Sequence, residues 1–100
     1  MKNRLELLVS YDVETLTPEG RSRLRKMSKL CSAYGQRVQY SVFELQVTPA
    51  LFQKFVQRAT QLIDVNSDSV RVYVLNGKRS DYLQVYGRDG WVDFDAPLIL

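Results

Sequence analysis

The stretch Leu5-Glu6-Leu7-Leu8-Val9-Ser10-Tyr11-Asp12-Val13 decides the fold, because it has the pattern of a buried strand that ends on a carboxylate. Its aliphatic run is first broken by Ser10-Tyr11-Asp12. The end of a rigid central strand is exposed, and such ends often carry functional groups. Two interpretations of Asp12 are open from this pattern alone: it starts the following turn, or it takes part in chemistry.

Two segments downstream begin with a threonine followed by a proline, which is a helix-start signal. Thr17-Pro18 predicts a helix over about 18–33 that stops at Gly35, and Thr48-Pro49 predicts a helix to about residue 63. The first helix carries residues at helical spacing that predict one packed stripe. They are Gly20, Leu24, Met27, Cys31 and Tyr34.

The segment 36–47 is rich in strand-forming residues, but its alternation changes phase at Val42-Phe43. This phase change predicts either a bulge or a tight turn, and we favour two strands with a kink around Ser41. Alternation also predicts a strand over 70–75 and a further strand over 82–86.

The order strand, helix, strand, strand, helix, strand predicts an α+β, ferredoxin-like βαββαβ fold with both helices on one face of an antiparallel sheet. The whole chain, 1–100, is expected to be one domain with its core at about 5–75. The ferredoxin-like plan does not include the strand predicted over 82–86 or the apolar end Pro97-Leu98-Ile99-Leu100. We therefore expect the tail, about 82–100, to dock on a second copy of the chain.

The composition restricts the possible chemistry. The chain has no histidine and one cysteine, Cys31, which excludes Ser-His and Cys-His catalysis, cysteine metal cages and an internal disulfide. We expect Cys31, which lies on the packed stripe, to be inert. Any bound metal would be a hard cation held by oxygen, Mg²⁺ or Mn²⁺. No apolar run is long enough to span a membrane and no signal-peptide layout is present, so a cytoplasmic protein is expected.

Basic residues are concentrated in the first predicted helix, although the net charge is only +3. They are Arg21, Arg23, Arg25, Lys26 and Lys29. A charged helix face is commonly just a solvated face. With only Glu19 nearby to balance this cluster, the pattern favours contact with the phosphates of a nucleic acid.

A lone Asp12 is a weak Mg²⁺ site, since such sites normally use more than one acidic oxygen. A two-fold dimer would bring two copies of Asp12 to one axis, where together they could hold a cation. That cation would activate water and offset charge on a phosphate under attack.

Three motifs together are similar to one family: Leu-Val-Ser-Tyr-Asp-Val at 8–13, Arg-Ser-Arg-Leu-Arg-Lys at 21–26 and Arg-Val-Gln-Tyr-Ser-Val-Phe-Glu at 37–44. The chain resembles the CRISPR-associated protein 2 family, the small nucleases of the CRISPR adaptation module. This resemblance implies a homodimer whose first-strand aspartates face each other and whose C-terminal segment packs on the partner's sheet.

The resemblance also implies roles for individual residues. Asp12 would be the catalytic residue that binds the divalent metal, while Arg21, Arg23 and Arg37 would bind nucleic acid together with the basic cluster. Supporting positions would be Ser10, Tyr11 and Phe43.

The activity implied by the resemblance is metal-dependent endonuclease action on RNA or double-stranded DNA, in spacer acquisition with the CRISPR adaptation integrase. A second implied role is that of a non-catalytic DNA-binding scaffold that bridges two integrase dimers. Without the resemblance, a generic basic ferredoxin-like module with a regulatory role also fits. No protein group is assigned as the general base, and a hinge that closes before metal binds is a further hypothesis.

Overall fold

The computed structural model of the protein describes residues 4–93. Within them it forms four strands and three helices. The elements are β1 (Leu5–Asp12), α1 (Pro18–Tyr34), β2 (Gly35–Gln39), β3 (Val42–Val47), α2 (Pro49–Leu62), β4 (Ser69–Leu75) and α3 (Arg79–Tyr82). No helix in this part of the chain has both the length and the apolar character needed to cross a membrane.

The four strands form one sheet in the order β2-β3-β1-β4, with antiparallel neighbours throughout. The predicted α+β, ferredoxin-like arrangement is confirmed. β1 has a hydrogen-bonded neighbour on each side, and alternate side chains along it are buried against the helices.

One face of the sheet packs on α1 and α2 and forms the core. In β1 that face carries Leu7, Val9 and Tyr11, each at most 5% exposed. Leu8, Ser10 and Asp12 alternate with them and therefore lie on the opposite face, which we call the outer face. The predicted stripe of α1 is part of the core: Met27 and Cys31 are fully buried.

Both predicted helix starts are confirmed by capping hydrogen bonds. The hydroxyl of Thr17 accepts from the backbone N–H of Gly20 at 3.0 Å, and that of Thr48 accepts from the N–H of Leu51 at 3.3 Å. Each cap satisfies a backbone donor that has no partner inside its helix. The helices end within one residue of the predicted positions.

Gly35 ends α1 as predicted, but for a different physical reason. Its backbone is extended, with φ −164°, and it begins β2 instead of forming a left-handed helix cap. A Cβ atom at this position would lie 2.4 Å from the backbone oxygen of Glu44 on the neighbouring strand. Glycine is therefore required by the close approach of two backbones.

The phase change in segment 36–47 is explained by a turn and a bulge together. β2 and β3 form a hairpin whose turn is Tyr40-Ser41, which confirms the two strands that we favoured. The register also shifts between Arg37 and Gln39, so one residue of β2 is left without a pairing partner.

The strand predicted over 82–86 is not formed in the described chain. Tyr82 ends the short helix α3, and Leu83 is extended but belongs to no ladder in the described chain. Residues 83–89 lie over the outer face of their own sheet, where they border a cavity of about 610 Å³ together with Leu8 and Ser10. Pairing with a partner subunit stays a prediction, and the apolar end 97–100 lies outside the described residues.

Candidate functional site

Asp12 is the last residue of the central strand and pairs with Ser69 at the start of β4. Its side chain is exposed at one end of the outer face. Within residues 4–93 its carboxylate takes part in no hydrogen bond or ion pair. An aspartate that capped the following turn would accept hydrogen bonds from that turn, so Asp12 does not cap it.

The turn after β1 is instead capped by Glu14. Its carboxylate accepts hydrogen bonds from the backbone N–H groups of Leu16 and Thr17 and from the Thr17 hydroxyl. Gly20 packs directly against this turn, because a Cβ there would lie 1.9 Å from the Glu14 backbone oxygen. The turn is thus fixed locally, and it fixes the direction in which the chain leaves Asp12.

Asp68 is a central residue of this region that the sequence analysis missed. Its side chain is fully buried, and it accepts hydrogen bonds from the Glu14 backbone N–H at 3.0 Å and the Asp64 backbone N–H at 2.9 Å. The Nε of Arg23 lies 2.7 Å from its Oδ2. Hydrogen bonding to this guanidinium lowers the pKa of Asp68 from 3.8 to about 2, so the carboxylate stays charged.

Asp68 therefore joins the turn after Asp12, the first turns of α1 and the loop before β4. In the sequence it is only one acid in a polar loop, Asp64 to Asp68. The one local signal is the four-residue spacing of these two aspartates, which matches the backbone hydrogen bond from the N–H of Asp68 to the oxygen of Asp64. Its partner Arg23 is distant in sequence and gives no local signal.

Arg21 and Arg23, both predicted to bind nucleic acid, have different surroundings. Arg21 is exposed, and its side chain donates a single hydrogen bond, to the Thr15 backbone oxygen at 3.1 Å. The Arg23 guanidinium is bound by Asp68 and lies 4.0 Å from Glu14, and its hydrogen bond to Asp68 raises its pKa. Arg21 is thus available to a phosphate, whereas Arg23 is occupied in the protein.

The hydrogen bonds of Glu14 and Asp68 limit which carboxylates in this region could bind a divalent metal. Glu14 follows Asp12 by two residues and Asp68 precedes Ser69, which pairs with Asp12; both carboxylates already accept hydrogen bonds. Residues 4–93 contain no group of three or more His, Cys, Asp or Glu side chains that could hold a metal. Asp12 is an exposed carboxylate with hard oxygen atoms of the kind that Mg²⁺ prefers, and one such residue is fewer than a Mg²⁺ site normally uses.

Arg25, Lys29 and Arg37 line a cavity of about 370 Å³ between α1 and the β2–β3 hairpin. Its remaining lining residues are Tyr11, Leu24, Ser28, Tyr40 and Ser41, so no carboxylate is among them. Lys26 is exposed on α1 but does not line this cavity. Among the predicted nucleic-acid-binding residues, Arg25 and Arg37 therefore line the same basic cavity, whereas Lys26 lies on the open surface of α1.

Two of the three predicted supporting residues belong to the core. Phe43 is fully buried, its ring stacks on that of Tyr11 with centroids 6.1 Å apart, and the guanidinium of Arg37 lies 5.1 Å from its centroid. The buried Phe43 ring thus stabilises the position of the Arg37 guanidinium by a cation–π contact and does not itself contact solvent. Ser10 is half-buried on the outer face, opposite Val42 of β3.

Comparison with known proteins gives consistent results across nearly the whole chain. Residues 6–82 match the family model described as CRISPR associated protein Cas2. A protein of Moorella thermoacetica named CRISPR-associated endoribonuclease Cas2 1 is 48% identical over 94 residues, which cover 94% of this chain and 98% of that protein. A protein of Halalkalibacterium halodurans named CRISPR-associated endonuclease Cas2 is 40% identical and covers 93% of this chain and 97% of its own.

Solved structures show the same similarity in three dimensions. The crystal structure of Streptococcus pyogenes Cas2 at pH 6.5 has a TM-score of 0.74 and 51% identity, covering 82% of this chain and 99% of that one. A chain of a partial Cas6-RT-Cas1–Cas2 complex has a TM-score of 0.68 and 25% identity, covering 96% and 99%. With the family model and these relatives in agreement over fold and sequence, the chain belongs to the CRISPR associated protein Cas2 family.

Proposed function

We propose that this protein is a metal-dependent endonuclease of the CRISPR adaptation module that hydrolyses phosphodiester bonds of RNA or double-stranded DNA. The observation that carries the proposal is Asp12, an exposed carboxylate without a protein partner among residues 4–93, held at the end of the central strand. Relatives at 48% and 40% identity are named endoribonuclease and endonuclease, which supports phosphodiester chemistry as the activity.

The proposed active unit is a homodimer in which two copies of Asp12 hold Mg²⁺, with Mn²⁺ as a substitute. A second copy is needed because one chain offers a single free carboxylate at this position. When bound, the ion would lower the pKa of water and offset the charge of the phosphate. Arg21 and Lys26 lie exposed on the helix that follows the Asp12 turn, where they would bind the nucleic-acid backbone.

A second candidate is a DNA-binding scaffold that bridges the CRISPR adaptation integrase without cutting. One specific observation favours it: a solved chain with 25% identity belongs to a complex described as Cas6-RT-Cas1–Cas2. The basic side chains that would grip DNA in such an assembly, Arg21, Arg25 and Lys26, do not involve Asp12 in their contacts. Binding and cleavage are therefore separable by mutation.

The deciding experiment compares wild-type protein with Asp12→Ala on single-stranded RNA and on duplex DNA, with Mg²⁺ and with Mn²⁺. We expect the variant to lose cleavage and to keep nucleic-acid affinity, because removing one carboxylate leaves the basic residues in place. Glu19→Gln is the matched control, since Glu19 is an exposed acid on the first turn of α1. Undiminished cleavage by pure Asp12→Ala protein would contradict the metal-ligand role, and wild-type protein that binds but never cuts would favour the scaffold.

A further inference from the structure

Tyr40 stands at the tip of the β2–β3 hairpin with 91% of its surface exposed. It lines two cavities at once. One is the basic cavity of about 370 Å³ against α1, and the other, of about 570 Å³, lies between the bulged strand β2 and the loop that contains Arg88 and Gly90. Arg37 is the other residue common to both cavities. An exposed aromatic ring thus stands between two concave surfaces.

The charges around Tyr40 have one sign. Arg25 and Lys29 lie on the helix side and Arg88 lies on the loop side, and no carboxylate lines either cavity. Within residues 4–93, these three cations take part in no ion pair, in contrast to Arg23 and Arg79, which are both bound to carboxylates. Positive side chains left without counter-charges on both sides of a ring favour a ligand that carries negative charge on both sides of a planar group.

Arg37 is held in place between the two cavities. Its guanidinium packs 5.1 Å from the centroid of the buried Phe43 ring and hydrogen-bonds the Ser28 hydroxyl on α1. A guanidinium fixed in this way loses little further conformational entropy when it binds a phosphate. The hairpin itself is anchored by the hydrogen bond from the Tyr11 backbone N–H to the Ser41 oxygen at 3.1 Å.

We infer that this surface is a binding site for an unpaired nucleotide within a single strand of RNA or DNA. The base stacks on the ring of Tyr40, the phosphate on one side of it is bound by Arg25 and Lys29, and the phosphate on the other side is bound by Arg88. Stacking on exposed aromatic rings between basic side chains is the general means by which proteins hold unpaired nucleotides. In a duplex the base is covered on both faces by its neighbours, so Tyr40 would have no free face to stack on.

The inference rests on the proposed function, since it places part of the nucleic acid that the enzyme would hold. Sequence alone gave Tyr40 no special weight among the aromatic residues of the strands. Its exposure, and the three unpaired cations around it, distinguish it from Phe43 and Tyr11, which are buried.

The test measures binding of single-stranded oligonucleotides that contain 2-aminopurine, in EDTA so that no metal-dependent cleavage occurs. Tyr40→Leu should weaken single-strand binding about ten-fold and abolish the fluorescence quenching that stacking produces, whereas Tyr40→Trp should retain both. Tyr86→Leu is the matched control, because Tyr86 is 86% exposed but lines neither cavity. Duplex binding should be the same for all of these variants.

The phosphate contacts are tested through salt dependence. Each of Arg25→Gln, Lys29→Gln and Arg88→Gln should lower the slope of log affinity against log salt by about 0.7 for a single strand. Lys54→Gln, an exposed lysine on α2, should leave the slope unchanged. The inference is overturned if Tyr40→Leu binds single strands as tightly as wild type, or if it loses duplex affinity equally. Wild-type protein that binds no nucleic acid at all would overturn the proposed function as well, and the two failures are thereby distinguished.

Discussion

The Nε of Arg23 lies 2.7 Å from Oδ2 of Asp68, so an arginine in the first half of α1 is bound by a buried carboxylate in the loop just before β4. Asp68 also holds the backbone of Glu14, two residues beyond Asp12, and Ser69 beside it pairs with Asp12 in the sheet. Asp68 thus contacts or adjoins the residues next to Asp12, the proposed metal ligand. Its ion pair with Arg23 therefore has a structural role in this region. Arg21, two residues earlier in α1, is left to face solvent.

Arg23→Gln and Arg21→Gln should accordingly affect different properties. Arg23→Gln leaves the buried Asp68 without its charged partner, so we expect thermal unfolding at a temperature lower by roughly 5–10 °C. Arg21→Gln should leave the unfolding temperature unchanged and weaken duplex DNA binding, with a salt slope lower by about 0.9. Calorimetry and binding titrations on both variants check this, and the reverse assignment of effects would contradict it.

Stability should fall in acid because of Asp68. Its pKa is lowered to about 2 in the folded protein from an ordinary value of 3.8, first of all by its hydrogen bond from Arg23. The unfolded chain therefore binds the proton first as pH falls, and the stabilisation present above about pH 4 is lost between about pH 4 and pH 2. Urea unfolding across this range should show a smaller pH dependence for Asp68→Asn than for wild type.

Cys31 should be chemically inert in the folded protein. The thiol is fully buried, and burial raises its pKa to about 12, so almost no thiolate exists at neutral pH. We expect alkylation at pH 8 to be at least about 100-fold slower in native protein than in urea. The control is the double variant Cys31→Ala, Ser32→Cys, which moves the thiol to the exposed neighbouring position and should react quickly without denaturant.

Arg79 should hold residues 83–93 on the outer face of the sheet. Its guanidinium pairs with Glu44 of β3 and Asp89 and lies 4.5 Å from the ring centroid of Trp91, the only tryptophan in the chain. Arg79→Gln removes all three contacts, so acrylamide quenching of Trp91 fluorescence should rise about two-fold. Arg71→Gln, which alters a single hydrogen bond to Tyr73, should leave quenching unchanged. Equal quenching in wild type and Arg79→Gln would exclude the anchoring role.

Much of the fold could be predicted from local sequence because its causes are local. Thr17-Pro18 and Thr48-Pro49 begin helices through hydrogen bonds that span three residues, and the alternation of β1 reflects one buried face. The hairpin at Ser41 follows from the phase change of two adjacent strands. Each of these features depends on residues close in the chain, where spacing alone decides which side chains share a face.

Local sequence predicted a strand over 82–86 that the structure does not form. Residues 82–86 have strand-like composition, but a strand also needs a neighbouring edge with free hydrogen-bonding groups. In the described chain Arg79 pairs with Glu44 of β3 and with Asp89, and residues 83–86 lie over the sheet face instead of along an edge. Composition predicted the capacity for a strand, and the position of the segment decided against one here.

For the candidate site, the sequence by itself determined which residue types were available: no histidine, one cysteine, a strand-end Asp12 and a cluster of cations on one helix. Only the tertiary structure decided which of them are free. It bound Arg23 to Asp68 and left Asp12 and Arg21 facing solvent, and it exposed Tyr40 between unpaired cations. The physical reason is that the availability of a charge depends on partners that folding brings together, as it brings Arg23 to Asp68 across 45 residues, whereas the presence of the charge is given by the sequence.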